Sequence, residues 1–281
     1  MNGATAPLLL RQRLTAYAGI AQIQARTQFA YRADFLFALI GLLVQTYLLK
    51  VVWTAVFPHS GAVSAAGGRS VTLAAQIAYA TLAMVQYWLF NPWRLSLIPD
   101  RVREGKVAVD LARPIRFTAQ MFCAQVGTTL AMAPFAVIAL PFAVLVGGMQ
   151  APASPGAAGL YVLSLVLAYL ITVLLAAIVS MVAFWTIDAS GIFIIYRMVA
   201  QFFAGALVPL WFMPEWLATV ANWLPFQSTI YTPLAIYLGQ LGGPDETATA
   251  LGVQCVWVLV LWLALRLVWS RALRRVVVQG G

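Results

Sequence analysis

The chain has 281 residues, of which 63% are hydrophobic and only 9% charged, and it carries a formal net charge of +9. So little charge cannot hydrate the surface of a water-soluble domain of this length, so a soluble globular fold is excluded.

In chain order, the first segment carries Arg11, Arg13, Arg26 and Arg32. These interrupt any apolar stretch that a cleavable signal peptide would need. Leu14, Tyr17, Ala18, Ala21 and Ala25 follow helical spacing beside Gln22, Arg26 and Gln28. That pattern predicts an amphipathic helix over 8–32 lying in the membrane interface. A short soluble helical tail is the alternative reading.

A hydrocarbon core about 30 Å thick takes roughly 20 apolar helical residues to cross. Six runs satisfy this, near 33–57, 71–93, 118–147, 160–186, 190–211 and 249–270. The expected fold is an all-α polytopic membrane protein, a single transmembrane domain over 1–281 with no room for a soluble one. Basic residues orient it. Beyond those of the first segment, Arg94, Arg101, Arg103, Lys106, Arg113 and Arg116 separate the second and third runs, and Arg271, Arg274 and Arg275 follow the sixth. The opposite loops hold Arg69 as their only Lys or Arg, with Glu215, Asp245 and Glu246. The positive-inside rule then puts both termini in the cytoplasm, with the chain in the cell (inner) membrane. Topology and anionic lipid thus account for the basic excess, and nucleic acid is not needed as a partner.

Reactive chemistry is sparse. Cys123 and Cys255 fall near opposite leaflets, and His59 follows Pro58 in an outer loop without a carboxylate cluster. No metal site is expected. Gly105-Lys106 precedes Val107, not Ser or Thr, and Asp100 stands where a phosphate loop would begin. Lys50, Asp34 and Asp188 sit at predicted span ends, while Arg197 lies about two turns into the fifth. With no carboxylate in mid-membrane, a proton relay is poorly supported. Energy must come from a gradient or a partner.

The cytoplasmic loop over 94–116 is the most charged stretch. Arg101, Arg103, Glu104, Lys106, Asp110 and Arg113 alternate in sign around Val102, Val107, Val109 and Leu111, with Gly105 between Pro99 and Pro114. A helix and turn there would present an apolar patch inside a charged rim, as docking surfaces do. A solvated loop that only enforces topology fits the residues equally well.

The run Arg103-Glu104-Gly105-Lys106-Val107-Ala108-Val109-Asp110-Leu111-Ala112-Arg113-Pro114-Ile115 resembles the cytoplasmic loop of type-2 ABC exporter permeases. So does the order of Ala204-Gly205-Ala206-Leu207-Val208-Pro209, Phe212-Met213-Pro214, Leu224-Pro225-Phe226 and Tyr231-Thr232-Pro233. Many relatives carry Ser where this chain has Ala204. The resemblance implies a permease with no ATPase of its own and no bound cofactor. Two such permeases, identical or paired, would assemble with separate ABC ATPase subunits that bind ATP and Mg. Residues Arg101, Arg103, Glu104, Gly105, Lys106, Asp110, Arg113 and Pro114 would form the ATPase-coupling loop.

The outer segment 212–248 is broken by proline. Glu215 to Trp223 is helix-compatible, with Trp216, Leu217, Val220 and Trp223 on one face. It reads as a short re-entrant helix between the fifth and sixth spans. Pro209, Pro214, Trp216 and Pro225 would build an outer gate, or else a connector lying on the surface. The resemblance makes spans two and five the path lining, represented by Gln76, Tyr79, Gln86, Tyr196, Arg197 and Gln201. With few fixed charges, that path suits an amphiphilic, lipid-like or drug-like cargo. A gradient-driven transporter or channel is the second reading, and a non-transporting scaffold the third.

Overall fold

The computed structural model describes residues 10–30, 32–57, 62–64, 70–90, 97–146, 148–186 and 188–279. His59, Arg69 and Arg94 lie outside them. The chain is mostly helical. Helices α1 (Leu10–Ala30), α2 (Arg32–Val56) and α3 (Leu73–Phe90) come first, with a small antiparallel pair, β1 (Ala62–Ser64) and β2 (Ser70–Thr72), between α2 and α3. Two short helices follow, α4 (Ile98–Arg103) and α5 (Val107–Ala112), then α6 (Phe117–Leu145), α7 (Pro155–Ser180) and α8 (Ser190–Phe203). The chain ends with α9 (Glu215–Asn222), α10 (Tyr231–Tyr237) and α11 (Pro244–Gln279).

Among the described residues, five helices are long and apolar enough to cross a membrane: Leu36–Val56, Leu73–Phe90, Phe117–Leu145, Pro155–Phe184 and Pro244–Arg275. These agree with five of the six expected runs. The fifth expected run differs. Instead of 190–211, it yields the 14-residue α8. At 1.5 Å per residue that is about 21 Å, short of a full crossing. The reason is local. Gly205 takes a left-handed φ of 77°, its N–H donates to Phe202 O, and Ala206 N–H donates to Gln201 O. This paired closure ends a helix where glycine can enter the left-handed region cheaply. Pro209 then cannot continue it.

Starts are encoded as plainly. Ser154 caps α7, its hydroxyl accepting from Ala157 N–H at 3.0 Å, with Pro155 in the first turn. Asp245 and Glu246 sit in the first turn of α11, where the helix dipole favours carboxylates.

Helix α3 is the centre of the bundle. Two-thirds of its apolar window (67%) is buried, against 11% for those of α2 and α11. The outer helices turn Phe37, Val44, Val137, Val162, Val256 and Leu267 outward. In water that surface would drive aggregation; against acyl chains it is the required exterior. Inside, buried glutamines bridge elements. Gln254 on α11 donates to Ser164 O at 3.2 Å and Ser228 O at 2.8 Å, and accepts from the Ser164 hydroxyl at 2.9 Å. Interhelical hydrogen bonds of this kind substitute for the hydrophobic driving force that lipid removes.

Helix α1 occupies the range expected for the interfacial helix and packs along α6. The approach is so close that a Cβ at Gly127 would collide with the backbone carbonyl of Ala21. The Tyr17 hydroxyl accepts from Arg116 N–H at 3.3 Å, joining α1 to the end of the charged loop.

Candidate coupling loop and intramembrane cleft

The charged loop folds into a two-helix hairpin. Pro99 and Asp100 open α4, and Arg101 and Arg103 close it, matching the dipole at both ends. Gly105, at φ 68°, ends it by the same device as Gly205: its N–H donates to Val102 O, and Lys106 N–H donates to Arg101 O. Helix α5 then returns. Ile98 and Val107 pack with Phe117, Met121, Met181, Phe184 and Ala272, so the hairpin is seated on the ends of α6, α7 and α11. Phe117 stacks on Trp269 at 4.7 Å.

Charge completes the seat. The Asp110 carboxylate is 0% exposed and pairs with Arg113 at 3.2 Å and Arg101 at 3.6 Å. Gln120, fully buried, donates to Asp110 O at 3.0 Å and Ile115 O at 3.1 Å, and accepts from Arg113 at 3.2 Å. Asp110, Arg101 and Arg113 therefore shape the hairpin. The outward surface consists of Arg103, Glu104, Lys106, Val109 (61% exposed) and Leu111, with Pro114 exposed beyond α5. Lys106 sits 2.7 Å from Glu104 and holds its carboxyl below the usual range, helped by Arg101 and Arg103. Gln120 was not anticipated. Its only sequence signal is an amide at the start of an apolar run.

The six path candidates separate into two groups. Gln76, Tyr79 and Gln86 are buried on α3 and hold the segment after α8. The Tyr79 hydroxyl donates to Gly205 O at 2.9 Å, Trp211 Nε1 donates to Gln76 Oε1 at 3.2 Å, and Gln86 Nε2 donates to Thr229 O. Tyr196, Arg197 and Gln201 instead line a cleft open on one side. Tyr87 and Phe90 of α3, Gln125 of α6, Thr172 of α7, Phe226 and Thr229 add to its polar and aromatic lining. Helix α8 has no buried residue, so it leans on the bundle through this wall and turns Ile192, Ile195 and Met198 outward.

In the segment after α8, Pro209 and Pro214 are extended and precede a short 3-10 turn and α9 respectively. Helix α9 forms where expected, but of the four residues expected on one face Leu217 turns to the other side. Leu217, Ala218 and Ala221 pack on Leu210 and Met213, and Trp216 (69% exposed), Val220 and Trp223 face out. The two alanines permit close approach, which indole rings at those positions would prevent. Pro225 is buried in the turn before α10.

Five membrane-length helices among the described residues, with the polar-clamped α3 at their centre and a seated charged hairpin at one end, define a multi-pass membrane protein. The sequence profile of the ABC-2 family transporter proteins matches residues 42–280, nearly the whole chain beyond α1. The chain belongs to this family and is a type-2 ABC permease. No curated protein matches it.

Proposed function

We propose that this chain is the membrane-spanning subunit of an ATP-driven exporter that moves an amphiphilic cargo out of the cytoplasm. The observation that carries the proposal is the α4–α5 hairpin: a pre-shaped projection with exposed Val109 and Leu111 inside a rim of Arg103, Glu104 and Lys106. Such a surface suits a cleft on a separate ABC ATPase. ATP and Mg are held there, and this chain performs no hydrolysis itself. Two permeases, identical or paired, complete the complex with two ATPases.

In this reading the hairpin end faces the cytoplasm, with both termini, as the basic residues require. Helix α1 lies at the inner interface. Helix α8 and the broken segment after it together make the sixth crossing. The cargo path runs beside α3 and α8, and the α9 segment, with Pro209, Pro214, Trp216 and Pro225, is its outer gate. Closure of the ATPases pushes the seated hairpin, and the rigid seat passes that motion to α6, α7 and α11.

Reconstitution tests the proposal. Alone in liposomes the chain should neither hydrolyse ATP nor carry proton-driven flux. Adding the cognate ATPase should create nucleotide-dependent transport. Val109→Asp with Glu104→Arg should weaken ATPase binding while the chain still inserts. Uncoupler-sensitive flux by the chain alone would overturn the exporter reading.

A further inference from the structure

We infer that the cleft beside α8 is a binding site for an amphiphile with an anionic headgroup, whose phosphate, sulfate or carboxylate pairs with Arg197. The inference deepens the permease reading and rests on it for the cleft's place along the path. Three observations support it. First, among the described residues the lining carries one formal cation, Arg197, and neither Asp nor Glu. Second, hydrogen-bonding groups line the same cleft: Gln201 one turn further along α8, and Tyr87, whose phenol is within hydrogen-bonding reach of Gln201 and feels the charge of Arg197. Third, the rest of the wall is mostly apolar, with Phe90, Val173 and Phe226 prominent and Gln125, Thr172 and Thr229 as its further polar groups.

Chemistry selects the occupant from this arrangement. A guanidinium held among apolar walls favours a planar or tetrahedral oxyanion that it can engage through two parallel N–H bonds. Coulombic attraction is stronger there than in water because the surroundings have low dielectric. A cationic amphiphile would meet repulsion instead. Depth agrees as well. Tyr87 lies about one turn from the end of α3, Gln125 about two turns into α6, and Thr172 about two turns before the end of α7. All three helix ends are on the side of the charged hairpin, so the cleft meets the headgroup-to-acyl boundary of the inner leaflet. An intramembrane arginine costs insertion free energy, and a place in a ligand site is the usual return.

The test reads binding in the permease without its ATPase. Ala200 lines the cleft, so Ala200→Cys is introduced with Cys123→Ser and Cys255→Ser. Its reaction with a water-soluble maleimide is timed in dodecyl maltoside micelles. Added dodecyl phosphate should slow labelling roughly tenfold, equivalent to about 1.4 kcal/mol of binding. Dodecyltrimethylammonium should not. Arg197→Gln should abolish the slowing, and Arg197→Lys should keep most of it, which separates lost charge from lost fold. Phosphatidylglycerol that protects as well as dodecyl phosphate identifies a bilayer lipid as the source; protection by dodecyl phosphate alone identifies a solute. Equal protection by the cationic amphiphile, full protection by inorganic phosphate, unchanged protection in Arg197→Gln, or a thiol that never reacts would each overturn the inference. Because no ATPase is present, failure of ATP-driven transport would leave this result intact, and failure here would leave the exporter reading standing.

Discussion

Asp110→Asn removes one negative charge from the seat of the hairpin and changes almost nothing in shape. Asp110 is completely buried, but its partners are not: Arg101 is 31% exposed and Arg113 46%. Breaking a buried ion pair costs about 3–5 kcal/mol when the remaining charge is stranded. Here neither Asp110 carboxylate oxygen makes a hydrogen bond beyond these ion contacts, and both guanidinium groups can turn partly to water, so the loss lies below that range, about 2 kcal/mol. The bonds from the Gln120 side-chain amide to Asp110 O and Ile115 O survive, so the loss is local to α4 and α5. A cost of about 2 kcal/mol multiplies the open population of the hairpin by roughly thirty. Hydrogen exchange on the purified protein reads this directly. Amides over 101–112, including Lys106 N–H and Asp110 N–H, should exchange roughly thirtyfold faster, with α7 and α11 unchanged. In the assembled complex, transport per ATP hydrolysed should fall. Unchanged exchange over 101–112 would refute the reasoning, because the apolar seat on Phe117 and Met181 would then hold the hairpin without the ion pairs.

The other expectations concern backbone and caps. Gly205→Ala should lower the melting temperature in detergent, since its Cβ would lie 2.7 Å from Leu210 Cδ1 and 2.8 Å from Tyr79 Oη at a φ of 77°; an unchanged melt would mean the turn is not fixed. The left-handed strain alone is about 1–2 kcal/mol. Gly127→Ala should displace α1 from α6 because the obstacle is the backbone of Ala21; faster exchange confined to 10–30 is the expected readout. Asp188 accepts from the Ser190 hydroxyl and from Ser190 N–H, which hold its carboxyl below the ordinary value. A depressed folded value means this cap is fully present above the ordinary Asp range and is lost only as pH falls through the folded value. Exchange at the start of α8 should therefore be insensitive to this group at neutral pH and rise under acid; Asp188→Ala should raise it at neutral pH and match the wild type under acid, where the cap is already lost.

Local properties of the chain were enough to locate the five long helices, the helix after Pro214, the turn at Gly105 and the charged loop as a separate feature. Each depends on residues within a turn or two of one another: apolar runs, prolines that cannot continue a helix, glycines that can enter the left-handed region. The tertiary structure decided what those properties leave open. Gln76, Tyr79, Gln86, Arg197 and Gln201 are alike in sequence, polar groups on apolar helices, yet Tyr79 and Gln86 clamp backbone, Gln76 holds the Trp211 indole, and the last two line a cleft. The partners that make the difference are remote: Tyr79 and Gly205 are 126 residues apart, and Gln86 and Thr229 are 143. Asp110 and Arg113 stand among the loop's charges as if all were solvated, but burial on α6 makes a seat of these two and leaves Glu104 and Lys106 at the rim. In α9 the choice of inward face followed the same logic, since packing on Leu210 and Met213 favoured alanines over tryptophans. Hydropathy specifies which segments enter lipid, but a polar side chain inside lipid must bond to whatever group the folded chain brings beside it.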